Sequence, residues 1–143
     1  VARKKNTEPY FTTEVVSKSS NQIMKVYTLV PEEEEEIAQA IVYMSDELNC
    51  DVILTTGGTG LAKRDVTPEA TKSVLTREVK GIAESLRAHA RRYEKHAALS
   101  RAVAGLRKNQ SLIVNLPGRP NAVSSSLGVL LPMLRHAVRQ LKS

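Results

Sequence analysis

Asp51-Val52-Ile53-Leu54-Thr55-Thr56-Gly57-Gly58-Thr59-Gly60, followed by Arg64-Asp65-Val66-Thr67-Pro68-Glu69-Ala70, decides the fold of this chain. An almost unbroken apolar run of strand length suits a sheet covered on both faces. The glycines after it permit positive φ and bring backbone close to a ligand, and successive N–H groups in such a turn cradle anions. Thr67-Pro68 then opens a helix, because proline suits the first helical position. A short polar loop between strand and helix is where open α/β sheets bind ligands.

Outward from this segment the same grammar repeats. Met24–Val30 alternates and reads as a strand, with Tyr10–Val16 a second short candidate. Pro31 and Glu32–Glu36 begin a helix whose Ile37, Ile41, Met44 and Leu48 share one stripe. The helix at Thr67 runs to about Glu78. Gly81 marks a break, and Ile82, Leu86 and Tyr93 trace another helix. Ala97–Leu106 is short and helical at its start. Ser111–Leu116 is a third clear strand, closed by the turn Pro117-Gly118-Arg119-Pro120. A helix from about Asn121 carries Val123, Leu127, Leu130, Leu131, Leu134, Val138 and Leu141 on one side, with Pro132 placed to kink or split it. Strands alternating with helices predict an α/β domain of three layers, a mostly parallel central sheet flanked by helices. In such a sheet the loops after Thr56 and after Leu116 meet at the carboxyl edge and form one pocket.

Composition narrows the function. The 143 residues suit one domain, with residues 1–23 atypical or incomplete. No apolar run approaches the ~20 residues of a membrane span, and no secretory leader pattern opens the chain, so a cytoplasmic location is expected. The single Cys50 reads as a buried thiol. Residues 1–60 carry 5 Lys/Arg against 10 Asp/Glu, and residues 61–143 carry 16 against 5. The basic half points to an anionic ligand. Aromatics make up only 3%, so a stacking platform for nucleic acid is missing, and a phosphorylated small molecule is the expected partner. His89, His96 and His136 show no metal-ligand spacing.

The glycine turn is neither a Walker loop nor a dinucleotide fingerprint. The longer string Thr-Gly-Gly-Thr-Gly-x-x-x-Arg-Asp-x-Thr-Pro-Glu-Ala resembles the molybdopterin adenylyltransferase family, which includes bacterial Mog- and MoaB-type proteins and the G domains of gephyrin and its plant counterparts. Leu99-Ser100-Arg101-Ala102, Ala104-Gly105-Leu106-Arg107, Asn115-Leu116-Pro117-Gly118 and Leu130-Leu131-Pro132 extend the resemblance over residues 26–141.

The resemblance implies a molybdopterin-binding-like fold, usually a homotrimer and sometimes fused to a molybdenum-insertion domain. It implies a reaction in which Mg-ATP adenylylates the terminal phosphate of molybdopterin with release of pyrophosphate. By position in the motif, Asp65 and Glu32 are the candidate catalytic and Mg²⁺-holding residues. Thr56, Gly57, Gly58, Thr59, Gly60, Arg64, Ser100, Arg101, Asn115, Pro117 and Gly118 are the candidate substrate-binding residues.

Two departures keep alternatives open. Glu32 stands where the family usually has Asp, and residues 1–23 do not match the family's opening strand and Ser-Asp loop. The string is then either a piece of a longer chain or a divergent member. A non-catalytic molybdopterin binder, or a trimeric scaffold, stands beside the enzyme as a reading.

Overall fold

A computed structural model of the chain describes residues 12–18 and 21–143, with side chains from Val26 onward. In order come β1 (Thr12–Lys18), β2 (Asn21–Tyr27), α1 (Glu34–Val42), a π turn (Tyr43–Glu47), β3 (Val52–Thr56) and α2 (Thr67–Val74). There follow β4 (Arg77–Glu78), α3 (Lys80–Ala90), a 3₁₀ turn (Lys95–Leu99), β5 (Ala104–Arg107), β6 (Ser111–Leu116) and α4 (Pro120–Leu141).

The central sheet has the order β3-β6-β5-β4, and β6 is its organising strand. All six β6 residues are buried. Strand periodicity sends alternate side chains to opposite faces. Leu112, Val114 and Leu116 meet Ile82 and Leu86 of α3 and Leu130 of α4. Ile113 meets Ile37 and Ile41 of α1, and Ala70 and Val74 of α2. Two helices on each side of one sheet give the expected three layers. The sheet is mixed: β3 and β6 run parallel, while β5 is antiparallel to both β6 and β4.

Several boundaries differ from the sequence expectation, each for a physical reason. The strand read at Met24–Val30 is β2, and it pairs antiparallel with β1 in a separate two-stranded sheet, Thr12 opposite Tyr27. The Tyr10–Val16 strand is β1, and its first two expected residues lie outside the described ones. Helix α1 starts at Glu34, because Pro31 is used in a turn whose carbonyl accepts Glu33 N–H at 2.7 Å. Helix α2 ends at Val74, where Leu75 turns extended to begin the β4 crossover. Gly81 lies inside the first turn of α3 and breaks nothing. Strand β5 occupies residues expected to continue from a helical start. Helix α4 passes through Pro132 without splitting; proline costs it one backbone hydrogen bond.

Candidate functional site

The parallel β3–β6 pair places its two carboxyl-end loops side by side. Register sets Thr56 against Leu116, and Gly57 N–H continues the ladder to the Leu116 carbonyl at 3.1 Å. Thr56 Oγ1 donates to the Pro117 carbonyl at 2.8 Å. The loops are so close that a Cβ on Gly118 would lie 3.3 Å from the Gly57 Cα. The glycine turn and the Pro-Gly turn therefore form one rim.

The turn itself is folded by positive φ. Gly57 has φ +89° and Gly58 φ +67°, a region costly for residues with a Cβ. A side chain on Gly58 would also collide with Thr67 Oγ1. That tight approach is made by the Thr67 N–H, which donates to the Gly58 carbonyl at 3.2 Å and starts α2 against the turn. The N–H groups of Gly58, Thr59 and Gly60 have no partner among the described residues. Neither α2 nor α4 has a side-chain N-cap. In α2 the Thr67 and Ala70 N–H groups donate to the Gly58 and Val66 carbonyls, and Pro68 has no N–H. In α4 the N–H groups of Asn121 and Ala122 have no partner among the described residues, so α4 is the helix entrance that presents free amide donors at this rim. Aligned amides and helix dipoles there attract anions.

A cavity of about 400 Å³ opens beside the turn. Thr56, Gly57, Gly58 and Thr67 line its polar end, Glu32 lines its edge, and Ile37, Ile41 and Ile53 are among its apolar walls. Asp65 is half-buried; its Oδ2 accepts Ala62 N–H at 3.1 Å, and its other oxygen has no partner among the described residues. Arg64 is exposed and lies 3.6 Å from Glu32, which is itself 48% exposed. That ion pair draws the α1 entrance and the glycine loop together at the mouth.

Not every candidate residue faces this cavity. Asn115 is buried beneath the rim with both ends of its amide engaged. Its Nδ2 donates to Thr55 Oγ1 at 2.8 Å and Thr71 Oγ1 at 2.9 Å. Its Oδ1 accepts Val103 N–H at 3.1 Å. It bolts β3, α2 and the residue before β5 to β6. Ser100 closes the 3₁₀ turn and its Oγ accepts Ala102 N–H at 3.3 Å. Ser100 and Arg101 line a second cavity of about 610 Å³ with Lys72, Lys80 and Arg87. Arg101 holds the glycine loop through its guanidinium, donating to the Gly60 carbonyl at 2.7 Å, the Asp65 carbonyl at 2.6 Å and the Glu69 carboxylate. The Arg101 hydrogen bond pulls the Glu69 carboxyl below its usual range against opposing desolvation.

Sequence reasoning passed over Arg119, which is exposed and forms the entrance of α4 beside Gly118. The Pro-Gly-Arg-Pro turn was the available signal. It also passed over Thr55 and Thr71, the hydroxyl partners of Asn115.

Known proteins share both this sequence pattern and this fold. Residues 4–136 match the family described as "Probable molybdopterin binding domain". The chain belongs to that family. A molybdopterin adenylyltransferase of Helicobacter pylori strain J99 is 43% identical over 112 residues, covering 78% of this chain and 63% of the relative. Gephyrin of Dictyostelium discoideum is 44% identical over 124 residues, covering 87% of this chain and 17% of that much longer protein. Among solved structures, the molybdopterin biosynthesis enzyme MoaB of Thermus thermophilus superposes with a TM-score of 0.71 at 47% identity, covering 77% of this chain and 69% of its own. The chain thus spans under two thirds of the length of the H. pylori relative.

Proposed function

We propose that this rim binds molybdopterin and ATP and that the protein transfers the adenylyl group of ATP to the terminal phosphate of the pterin. The observation that carries this reading is the junction of the Gly57–Gly60 turn with the Pro117–Gly118 turn, where unpaired amides, two helix entrances and two carboxylates share one edge of the sheet. Relatives at 43% and 46% identity support it, since they are named molybdopterin adenylyltransferases.

In the reaction, an oxygen of the pterin phosphate bonds to the α-phosphorus of ATP, and the bond to pyrophosphate breaks. Both reactants are anions, so positioning and charge neutralisation are the main tasks, and no covalent protein intermediate is needed. The amides of Gly58, Thr59 and Gly60 and the first turn of α4 hold phosphoryl oxygens. Arg64 and Arg119 add positive charge from solvent-exposed positions, and the apolar walls of the 400 Å³ cavity exclude water from one side.

Among the described residues no group of three or more His, Cys, Asp or Glu side chains converges. That suits Mg²⁺, which keeps waters and substrate phosphates and needs only one or two carboxylates. Asp65, with a free oxygen, and Glu32 at the cavity mouth would hold it, and the ion would neutralise charge on the triphosphate. We assign the protein to the cytoplasm, where ATP is abundant. A homotrimer is the proposed assembly, its faces including exposed apolar residues such as Leu131.

The test is pyrophosphate release from purified protein given molybdopterin, ATP and Mg²⁺. Asp65→Asn should lower turnover by about 100-fold or more while the chain still folds. Full turnover in that variant would refute the assignment of Asp65. A binding-only role has one specific observation in its favour: Glu32 lies against Arg64 rather than open to a metal. Tight molybdopterin binding without any pyrophosphate release would select that role.

A further inference from the structure

We infer that Arg101 is a positioning residue for the glycine loop rather than a contact for substrate phosphate. This rests on the adenylyltransferase reading for its catalytic consequence, though not for its structural content.

The loop from Thr59 to Asp65 has little of its own to hold it. It contains neither helix nor strand, and its internal hydrogen bonds are two: Asp65 N–H to the Ala62 carbonyl, and Ala62 N–H to the Asp65 carboxylate. Leu61, Ala62, Lys63 and Arg64 are exposed. Such a segment would sample many conformations unless tied from outside. Arg101 supplies the tie at four points. Its backbone N–H donates to the Thr59 carbonyl at 2.8 Å. Its Nε donates to the Gly60 carbonyl at 2.7 Å and its Nη2 to the Asp65 carbonyl at 2.6 Å. Its Nη1 pairs with Glu69 in the first turn of α2.

The shape of the guanidinium explains why arginine stands here. Its donors form a rigid planar fork, and three edges of that fork reach the loop's start, the loop's end and the helix that follows. The loop is clamped at both ends to one plane. The Asp65 carboxylate, whose backbone carbonyl is one of the anchored points, inherits its place from this clamp. Three of the guanidinium's five N–H donors are thus committed to the loop and to α2, one from each nitrogen, which fixes its plane and leaves two for any further partner. Lysine carries one ammonium and can hold at most one of these ends in the same geometry.

The experiment compares wild type with Arg101→Lys and Glu69→Gln by hydrogen–deuterium exchange, by molybdopterin binding and by turnover. In Arg101→Lys, amides of residues 60–66 should exchange about tenfold faster or more. The Kd for molybdopterin should stay within about threefold while kcat falls about 30-fold, the signature of lost placement rather than lost binding. Glu69→Gln keeps an acceptor for Nη1 and should show the same direction with a smaller change, which serves if the lysine variant does not fold. Unchanged exchange with molybdopterin binding weakened about tenfold or more would show that Arg101 grips the ligand, and would overturn the inference. No change in any of the three would also overturn it. Wild type without turnover would refute the adenylyltransferase reading alone, because exchange still reports the clamp.

Discussion

The two ends of the parallel β3–β6 pair are built on opposite plans. At the amino end, polar groups are closed off by one another. Asp46 of the π turn takes both Arg107 Nε, at 3.0 Å, and Nη2, at 2.8 Å, and also Lys108 Nζ at 3.0 Å. Arg107 Nη1 donates to the Val74 carbonyl. Ser45 and Ser111, both buried, share a 2.8 Å hydrogen bond, and Gln110 Nε2 donates to the Ser45 carbonyl at 2.7 Å. At the carboxyl end, the amides of Gly58–Gly60 and the first turn of α4 have donors to spare. One end commits its polar groups to holding the layers together, and the other leaves amides unpaired, which in the proposed function take the ligand. Substitutions that leave the backbone path unchanged should therefore separate into stability effects at the first and activity effects at the second.

The largest expected effect lies at the carboxyl end. Asp65→Asn should lose about 100-fold or more in turnover with a melting temperature within about 2 °C of wild type, measured by pyrophosphate release and thermal denaturation. A large thermal shift would blur the distinction between the ends, for Asp65 would then be a frame residue. Gly58→Ala should cost about 2 kcal/mol of stability in denaturant unfolding and also impair turnover. The added methyl must take positive φ and displace Thr67 from the start of α2.

At the amino end, Asp46→Asn should cost about 2 kcal/mol, because it breaks a partly buried pair and leaves the Arg107 guanidinium under-compensated. Turnover per folded molecule should stay within about twofold. The same residue predicts a pH effect. Arg107's hydrogen bonds hold the Asp46 carboxyl well below the usual carboxylate range despite desolvation. A depressed folded pKa means stability that is fully present above the unfolded value, about 3.9. It is lost as pH falls below that value through the lower folded one. The stability gap between wild type and Asp46→Asn should therefore narrow on acidification below about pH 4. The smallest effect belongs to Arg64→Ala, an exposed pair worth under about 0.5 kcal/mol. If that variant raised turnover, Arg64 would be restraining Glu32 rather than serving the ligand.

This division also explains what was legible in the amino-acid sequence. Strands β3 and β6 announced themselves because both are nearly continuous apolar runs, and the turns after them carry glycine and proline whose backbone meaning is local. The meeting of those turns followed from parallel pairing. Strand β5 was not legible, since four residues interrupted by Gly105 show no alternation; it exists because β6 and β4 flank it. The hairpin partner of β2 was read as a strand but not as a separate sheet, because pairing choice is not encoded in periodicity. At the site, the glycine turn and the Asp65 motif were visible from spacing. The inward turn of Asn115 and the commitment of Arg101 to carbonyls were not. A side chain's partners depend on segments dozens of residues away, such as Thr55 and Thr71 for Asn115.

The central claim is that the glycine and Pro-Gly rim is where the anionic pterin sits. Amide exchange of the whole chain with and without molybdopterin tests it most directly. Slowed exchange is predicted at Gly58–Gly60 and Gly118–Arg119, with the Ser45 and Ser111 region unchanged. Protection confined to the amino end of the sheet, or to the cavity around Lys72 and Lys80, with the glycine turn unaffected, would contradict it.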